Sequence, residues 1–78
     1  MVCCKLRQKF PKYAIYSYGS APDDLSGEIV IFSDGGGFEI VKEPEKYKVY
    51  MRSLIRLYGK YREKFESGVF EEKISFES

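Results

Sequence analysis

The chain has 78 residues, of which 44% are hydrophobic and 32% charged, and this composition fits one small folded domain and excludes a disordered or fibrous protein. A core of this size stabilises a fold by only about 3 to 5 kcal/mol, so contact with a second subunit would add useful stability. Because no apolar stretch approaches the roughly 20 residues of a membrane helix and residues 1–12 contain no apolar leader segment, we expect a cytoplasmic protein.

The net charge of +1 conceals a segregation of charge along the chain. Residues 1–12 hold four basic and no acidic side chains, whereas residues 13–43 hold one basic and six acidic. Residues 44–66 hold seven basic and three acidic side chains, and residues 67–78 hold one and three. Residues 1–11 are therefore predicted to form a mobile basic arm in front of the first strand.

Three strands are predicted in the first half of the chain. Residues 12–18 are rich in tyrosine, which suits a pleated surface, and residues 19–27 collect the Gly, Pro, Ser and Asp of a surface loop. Residues 28–33 contain four consecutive apolar side chains, which is typical of a strand covered on both faces. The glycine-rich turn 34–37 and the alternating segment 38–43 complete a hairpin with that strand.

A long amphipathic helix is predicted over residues 44–66. Pro44 suits the first helical position, where its missing N–H costs least, and Ser67 and Gly68 supply a stop. Gly59 lies inside the helix, where glycine costs about 1 kcal/mol relative to alanine, and it marks either a close approach of another backbone or a kink. Apolar side chains recur at spacings of three and four and predict one stripe that covers the sheet: Tyr47, Tyr50, Met51, Leu54, Leu57, Tyr58, Tyr61 and Phe65.

The last segment, residues 69–78, predicts a fourth strand. Phe70, Ile74 and Phe76 share one parity, so one apolar face of this strand would join the core. Residues 1–78 are thus predicted to form a single α+β domain. It consists of an antiparallel β-meander of three strands, one long amphipathic helix on one face and a fourth C-terminal strand, in the order β-β-β-α-β.

The sequence offers little for catalysis. It contains no histidine, which removes the side chain best suited to proton transfer near neutral pH and the commonest metal ligand. We therefore predict a protein that is not an enzyme and has no cofactor or metal site. Four carboxylates that could bind Mg²⁺ or move protons lack metal-ligand spacing, and turn chemistry explains them better: Asp23, Asp24, Glu28 and Asp34.

Two further features allow more than one interpretation. The adjacent Cys3 and Cys4 close no useful loop within one chain; they are either incidental residues of the arm or, in a dimer, part of a four-thiolate metal site. The glycines of residues 34–37 could direct successive N–H groups at a phosphate. No Gly-Lys-Ser/Thr follows them and the next element is a strand, so a hairpin turn is favoured.

A row of basic side chains follows the helix at intervals of four residues: Lys48, Arg52, Arg56, Lys60 and Lys64. Like charges at this spacing repel by about 0.2–0.5 kcal/mol per pair, and a phosphate backbone or an acidic protein would offset that repulsion. The alternative is a solvated helix face. A nucleic-acid site also needs exposed aromatic rings. Because the helix tyrosines are assigned to the buried stripe, the candidates are Tyr13, Tyr16 and Tyr18, which could equally belong to the core or an interface.

Self-association is the preferred functional prediction. One helix covers one face of a sheet, whereas residues 29–32 direct apolar side chains to both faces, so a second subunit would cover the other face. We predict a small interaction module that forms a homodimer through the open sheet face or an edge strand. The alternative is a nucleic-acid-binding regulator that uses the basic row and four residues of the arm: Lys5, Arg7, Lys9 and Lys12.

Overall fold

An antiparallel sheet with one helix packed on one face forms the fold of this chain. The computed structural model describes residues 1–77. Its elements are β1 (Val2–Lys9), β2 (Tyr13–Gly19), β3 (Gly27–Phe32), β4 (Phe38–Lys42), α1 (Met51–Glu66) and β5 (Lys73–Phe76). The five strands lie in the order β4-β3-β2-β1-β5. This confirms the predicted α+β class with its meander, helix and C-terminal strand, and it adds one strand at the N-terminus.

The two faces of the sheet differ in burial. Along β2, Ala14, Tyr16 and Tyr18 are buried, and the residues between them are partly exposed. The register pairs Tyr16 with Ile29 of β3, and Ile29 in turn with Ile40 of β4, so these side chains form a continuous row on one face. The hydrophobic core lies between this face and α1.

The N-terminal segment is an inner strand of the sheet, and the prediction of a mobile arm is wrong for it. β1 lies between β2 and β5 and pairs antiparallel with both. Val2 and Cys4 are buried in the core and Leu6 packs against it, while Lys5 and Arg7 point to the opposite face. Apolar and basic side chains alternate along this segment, as in a strand with one buried face. A count of basic residues does not show this alternation, because the outward face of a strand can carry charge at little cost.

The helix begins at Met51 and not at Pro44 as predicted. Residues 44–50 are not helical, and Glu45 donates its backbone N–H to Ser26 Oγ (2.8 Å) instead of joining a helical turn. The chain leaves the sheet at the edge strand β4 and enters a helix that packs against β3, β1 and, at the opposite edge, β5. A helical residue advances about 1.5 Å and an extended one about 3.3 Å, so a non-helical segment can connect β4 to α1 with fewer residues than a helix.

The predicted apolar stripe is confirmed in its second half and wrong in its first half. Three of its members, Tyr47, Tyr50 and Met51, are exposed. Val49 is buried in their place, because an extended segment turns alternate side chains towards the sheet. The confirmed part of the stripe, buried or partly buried in the core, consists of Leu54, Leu57, Tyr58, Tyr61 and Phe65.

β3 and β4 form the predicted hairpin. Ile31 pairs with Phe38 at its closed end, and Gly36 donates its backbone N–H to Asp34 Oδ1 (2.9 Å) within the turn. Gly35 and Gly37 have φ angles of 86° and 82°, which glycine adopts without strain. The glycines of this loop are therefore explained by the turn itself.

β5 pairs with β1 of its own chain, with Ile74 opposite Cys4. Phe70 and Ile74 are buried and Phe76 packs against the core, as predicted, but the strand begins at Lys73 and not at residue 69. Phe65 of the helix stacks on Phe70, with ring centroids 5.6 Å apart. The last residue of the predicted strand, Ser78, lies outside the described residues.

Side chains from the helix cover the outer edge of β5. The Ser75 carbonyl accepts hydrogen bonds from Lys60 Nζ (3.2 Å) and from the Tyr61 hydroxyl (3.4 Å), on the side of the strand that faces away from β1. An uncovered edge strand is a template for pairing with another chain. β4 is therefore the edge of this sheet that the helix leaves open.

Tyr16 links the core to the segment before β5. Its ring is buried, and its hydroxyl donates a hydrogen bond to the Glu71 carbonyl (2.7 Å), 55 residues along the chain. Burial raises the pKa of Tyr16 well above its usual value, so the hydroxyl remains a donor across the physiological range.

Tyr16→Phe should lower the free energy of unfolding by about 1–2 kcal/mol, because it removes the donor and leaves the Glu71 carbonyl without this partner. Urea denaturation followed by circular dichroism would measure the change. The matched control is Tyr47→Phe, which removes a hydroxyl from an exposed ring and should change stability by less than about 0.5 kcal/mol. Equal stability of the two variants would contradict the assignment.

Candidate functional site

The predicted basic row divides into two parts in the structure. Lys60 and Lys64 lie on the side of α1 next to β5, where Lys60 Nζ contacts the Ser75 carbonyl and Lys64 forms an ion pair with Glu71. The hydrogen bond to that carboxylate raises the pKa of Lys64. These two lysines hold the helix against the C-terminal segment. The other three are exposed and form no ion pair within residues 1–77: Lys48, Arg52 and Arg56.

The exposed part of the row belongs to a larger surface, residues 46–56, which we call the basic–aromatic segment. Tyr47 and Tyr50 are 59% and 63% exposed, and Met51 and Ile55 are 51% and 58% exposed. Across the described chain, most of the large hydrophobic side chains that are exposed lie in this segment. A concentration of this kind marks a binding surface more often than scattered exposed side chains do.

Basic side chains accompany the exposed rings. Lys46 Nζ lies 5.8 Å from the ring centre of Tyr47, and Lys48 Nζ lies 5.6 Å from that of Tyr50. The sequence from 46 to 62 contains six basic and no acidic residues, so the rest of the chain carries a net charge of −5. The positive charge of the molecule is therefore concentrated in this stretch.

The first turn of α1 adds to the positive potential. The N-cap residue, Tyr50, makes no side-chain hydrogen bond to the helix, and the first turn contains no acidic residue. The unpaired N–H groups of a helix start carry a partial positive charge, which Arg52 reinforces instead of neutralising. No side chain of the first turn supplies the negative charge that this end of the helix favours.

Sequence reasoning assigned Tyr47 and Tyr50 to the buried stripe and so missed them as functional candidates. Two signals could have identified them. The region before Met51 lacks a Ser, Thr, Asp or Asn in the cap position, and Lys46 and Lys48 would be unfavourable in the first turn of a helix. Both signals favour a later helix start and therefore exposed tyrosines.

Gly59 lies on the outward face of α1, and the helix runs through it without a break. The predicted kink is therefore absent from the described helix. A Cβ atom built on Gly59 would have no neighbour within 4 Å, so nothing in residues 1–77 approaches the backbone at this position.

Gly59→Ala should raise the free energy of unfolding by about 0.5–1 kcal/mol, because alanine is the better helix former and the added methyl meets open space. Thermal denaturation would measure the shift. Gly68→Ala is the matched control, since its surroundings are equally open but its φ angle is 80°, which strains alanine. A Gly59→Ala variant less stable than the wild type would contradict this assignment.

The second predicted surface is the face of the sheet opposite α1, which we call the open face. Tyr13, Ile15, Val30 and Phe32 point to it, because their neighbours along β2 and β3 are buried in the core. Tyr13 also stacks on Phe10, with ring centroids 4.6 Å apart. These side chains form an apolar centre that is partly exposed to solvent.

The loop between β2 and β3 covers one end of the open face. The Asp24 carbonyl occupies the space in which a side chain on Gly19 would lie, so this position requires glycine. Beside the loop is a cleft of about 370 Å³, whose lining includes Cys3, Lys5 and Lys73. The remaining rows of the face have no helix packed on them in the described chain.

The three tyrosines of β2, which was predicted as the first strand, divide between the two faces of the sheet. Tyr13 is partly exposed on the open face, whereas Tyr16 and Tyr18 are buried in the core. The structure therefore removes Tyr16 and Tyr18 from the nucleic-acid candidates.

The two cysteines are buried in β1 and are not residues of an arm. Cys4 packs in the core, and Cys3, as its neighbour in a strand, points to the open face. Burial raises the pKa of both thiols, that of Cys4 to about 12. Because thiolates act as nucleophiles and metal ligands, and because these two side chains point to opposite faces, the arrangement does not favour a shared metal site.

The wild-type free energy of unfolding should fall as the pH rises above 9, because Cys4 ionises near pH 9 when unfolded and near pH 12 when folded. The contribution of Cys4 to stability is fully present below pH 9 and is lost between about pH 9 and pH 12. Cys4→Val should make the decline shallower by about 1.4 kcal/mol per pH unit. Urea denaturation between pH 7 and 11 would test this. Parallel profiles for the two proteins would contradict it.

The carboxylates considered for catalysis have local roles. Asp24 Oδ1 accepts a hydrogen bond from the Ser26 hydroxyl (3.2 Å), and Asp34 Oδ1 accepts one from the Gly36 N–H. Glu28 is exposed in β3, and Asp23 is exposed in the loop before it. In the part of the chain that the structure describes, no three Cys, Asp or Glu side chains are grouped closely enough to hold a metal ion.

Comparisons of this chain with protein-family models, curated proteins and solved structures give no match. Among residues 1–77, the structure contains no helix with the length and apolar character needed to span a membrane. The functional argument therefore depends on the basic–aromatic segment and the open face.

Proposed function

We propose that this domain is a non-enzymatic binding module and that its basic–aromatic segment binds single-stranded nucleic acid. The observation that carries the proposal is the exposure of Tyr47 and Tyr50 within a stretch of six basic and no acidic residues. Single-stranded nucleic acid offers both chemistries that such a surface binds, namely phosphate charge and the faces of unpaired bases. The proposed site is residues 46–56, in place of the full basic row and the arm.

The phosphate contacts are assigned to the exposed cations. Arg52 and Arg56 lie one turn apart on α1, about 6 Å along its axis, and neither has an ion-pair partner among the described residues. Guanidinium groups contact phosphate oxygens through paired N–H donors, and the helix start adds its own partial positive charge. A phosphate backbone would relieve the repulsion between these charges.

The base contacts are assigned to the two tyrosines. Both rings are exposed in the segment that leads into α1, and each has a lysine ammonium within 6 Å of its centre. Stacking of a base on an aromatic ring contributes about 1–3 kcal/mol and tolerates any base. Bases in a duplex are already stacked on each other, so we expect preference for single strands.

The test is fluorescence anisotropy with a labelled single-stranded oligonucleotide of mixed sequence, compared with the same sequence as a duplex. If each of the four basic residues of the segment (Lys46, Lys48, Arg52 and Arg56) contacts one phosphate, log K should fall with log salt with a slope of about −3. Tyr47→Ala and Tyr50→Ala should each weaken binding at least about fivefold, the lower end of the stacking range. Arg52→Gln with Arg56→Gln should weaken binding and reduce the slope by about 1.4.

The matched control is Lys9→Gln with Lys12→Gln, which removes the same charge from exposed positions outside the segment. Equal loss of affinity in this control and in the arginine variant would show non-specific attraction and contradict the proposed site. No binding at 50 mM salt would contradict the function. Binding of anionic phospholipid vesicles with no binding of the oligonucleotide would assign the segment to a membrane surface instead.

A further inference from the structure

The cleft beside the β2–β3 loop lies over two pairs of residues that face each other across β1 and β5. Cys3 is opposite Ser75, and Lys5 is opposite Lys73. These four side chains point to the open face, because the intervening residue of each strand is buried in the core. Cys3 and Ser75 are both small, so they leave room above their row, and the two lysines border that space.

The loop forms the wall of the cleft, with Pro22 and Leu25 in its lining. Two contacts hold the loop in place. Its backbone fills the space that a side chain on Gly19 would occupy, and Ser26 Oγ accepts a hydrogen bond from the Glu45 N–H (2.8 Å). A volume of about 370 Å³ is within the usual range of small-molecule sites, in which apolar walls surround a few polar groups.

Two cations lie together in this cleft. Lys5 and Lys73 are direct neighbours across the two strands, and neither forms an ion pair within residues 1–77. Among the described residues, the lining includes no carboxylate. Like charges directly opposite each other destabilise a sheet, so a negative group between these lysines would remove a repulsion that the fold otherwise retains.

The surrounding charges leave the lysine end of the cleft positive. Arg7 follows on the same face of β1 and adds a third positive charge. The acidic residues of neighbouring segments do not line the cleft: Glu28, Glu72 and Glu77. Glu28 lies two strands from Lys5, about 10 Å away, and directly opposite Lys42. The other two lie just outside the ends of β5.

From this arrangement we propose that the cleft binds a small organic anion with an apolar body. The charged group of the ligand lies between Lys5 and Lys73, where it offsets their repulsion, and its apolar part lies against Pro22 and Leu25. Ammonium groups on flexible side chains adapt to several geometries. The site therefore selects negative charge and apolar size more than one particular head group.

This cleft site does not depend on the proposed nucleic-acid binding. α1 packs on the opposite face of the sheet, and the cleft shares no lining residue with the basic–aromatic segment. An aliphatic carboxylate has no base to stack on Tyr47 or Tyr50, so it probes the cleft alone.

The test is an NMR titration of the isotope-labelled full chain with octanoate, below the concentration at which octanoate forms micelles. The backbone amide signals of Cys3, Lys5, Leu25 and Lys73 should shift and saturate, with a dissociation constant of about 1 mM or lower. Acetate carries the charge without the apolar body, and octanol carries the body without the charge. Each should bind at least about tenfold more weakly than octanoate.

Lys5→Gln with Lys73→Gln should weaken octanoate binding by about tenfold or more. Because this variant removes like charges that face each other, it should be at least as stable as the wild type in urea, and lost binding is then not lost folding. The matched control is Lys9→Gln with Lys12→Gln, which removes the same charge from exposed positions outside the cleft and should leave the constant within about twofold.

Arg52→Gln with Arg56→Gln removes two cations of the proposed nucleic-acid site and should leave octanoate binding unchanged. No saturable shift at about 20 mM octanoate, a carrier as tight as octanoate when it lacks either the charge or the apolar body, or equal losses in the two lysine variants would each overturn the proposal. Shifts confined to the basic–aromatic segment would overturn it as well.

Discussion

One helix covers one face of a five-stranded sheet, and the rest of this molecule follows from that contact. Phe65 lies at its centre, in contact with the rings of Tyr58, Tyr61 and Phe70, so the helix and the segment after it share one aromatic cluster. α1 packs against β5 as well as against inner strands, and the chain between β4 and α1, residues 43–50, is not helical. The same contact leaves the second face of the sheet without a helix.

Local patterns predicted the elements whose signals are local. The β3–β4 hairpin, the second half of the helix and the final strand each contain the periodicity or turn residues that define them. The start of the helix is not a local property. Pro44 is compatible with a helix start, but the N–H of the next residue, Glu45, is bonded to Ser26 in the loop before β3, and that contact is known only from the fold.

β1 shows a different limit of sequence reasoning. Val2, Cys4 and Leu6 alternate with Lys5 and Arg7, which is the pattern of a half-buried strand. Reading the segment by its charge alone emphasised the exposed half and ignored the buried half. An inner position between two other strands also cannot be predicted from composition, since it depends on partners that lie far along the chain.

The sequence predicted the positive charge of the candidate site but not the exposure of its tyrosine rings. The acid-free stretch 46–62 is visible in the sequence, but the exposure of Tyr47 and Tyr50 depends on where the helix begins. The open face was anticipated because residues 29–32 are apolar in succession, and the structure sends Ile29 and Ile31 to the core and their neighbours to the other side. What a run of apolar residues cannot show is which charges surround each face.

The two surfaces occupy opposite sides of one layer, and this arrangement determines how they can act together. If the homodimer predicted from the sequence forms through the open face, the sheets would lie about 10 Å apart, with each helix about another 10 Å outward, so the two helices would be about 30 Å apart on opposite outer surfaces. A straight strand of nucleic acid could not contact both basic–aromatic segments. Each segment would therefore bind with its own affinity, and self-association would increase the number of sites per particle without changing the chemistry of any one of them.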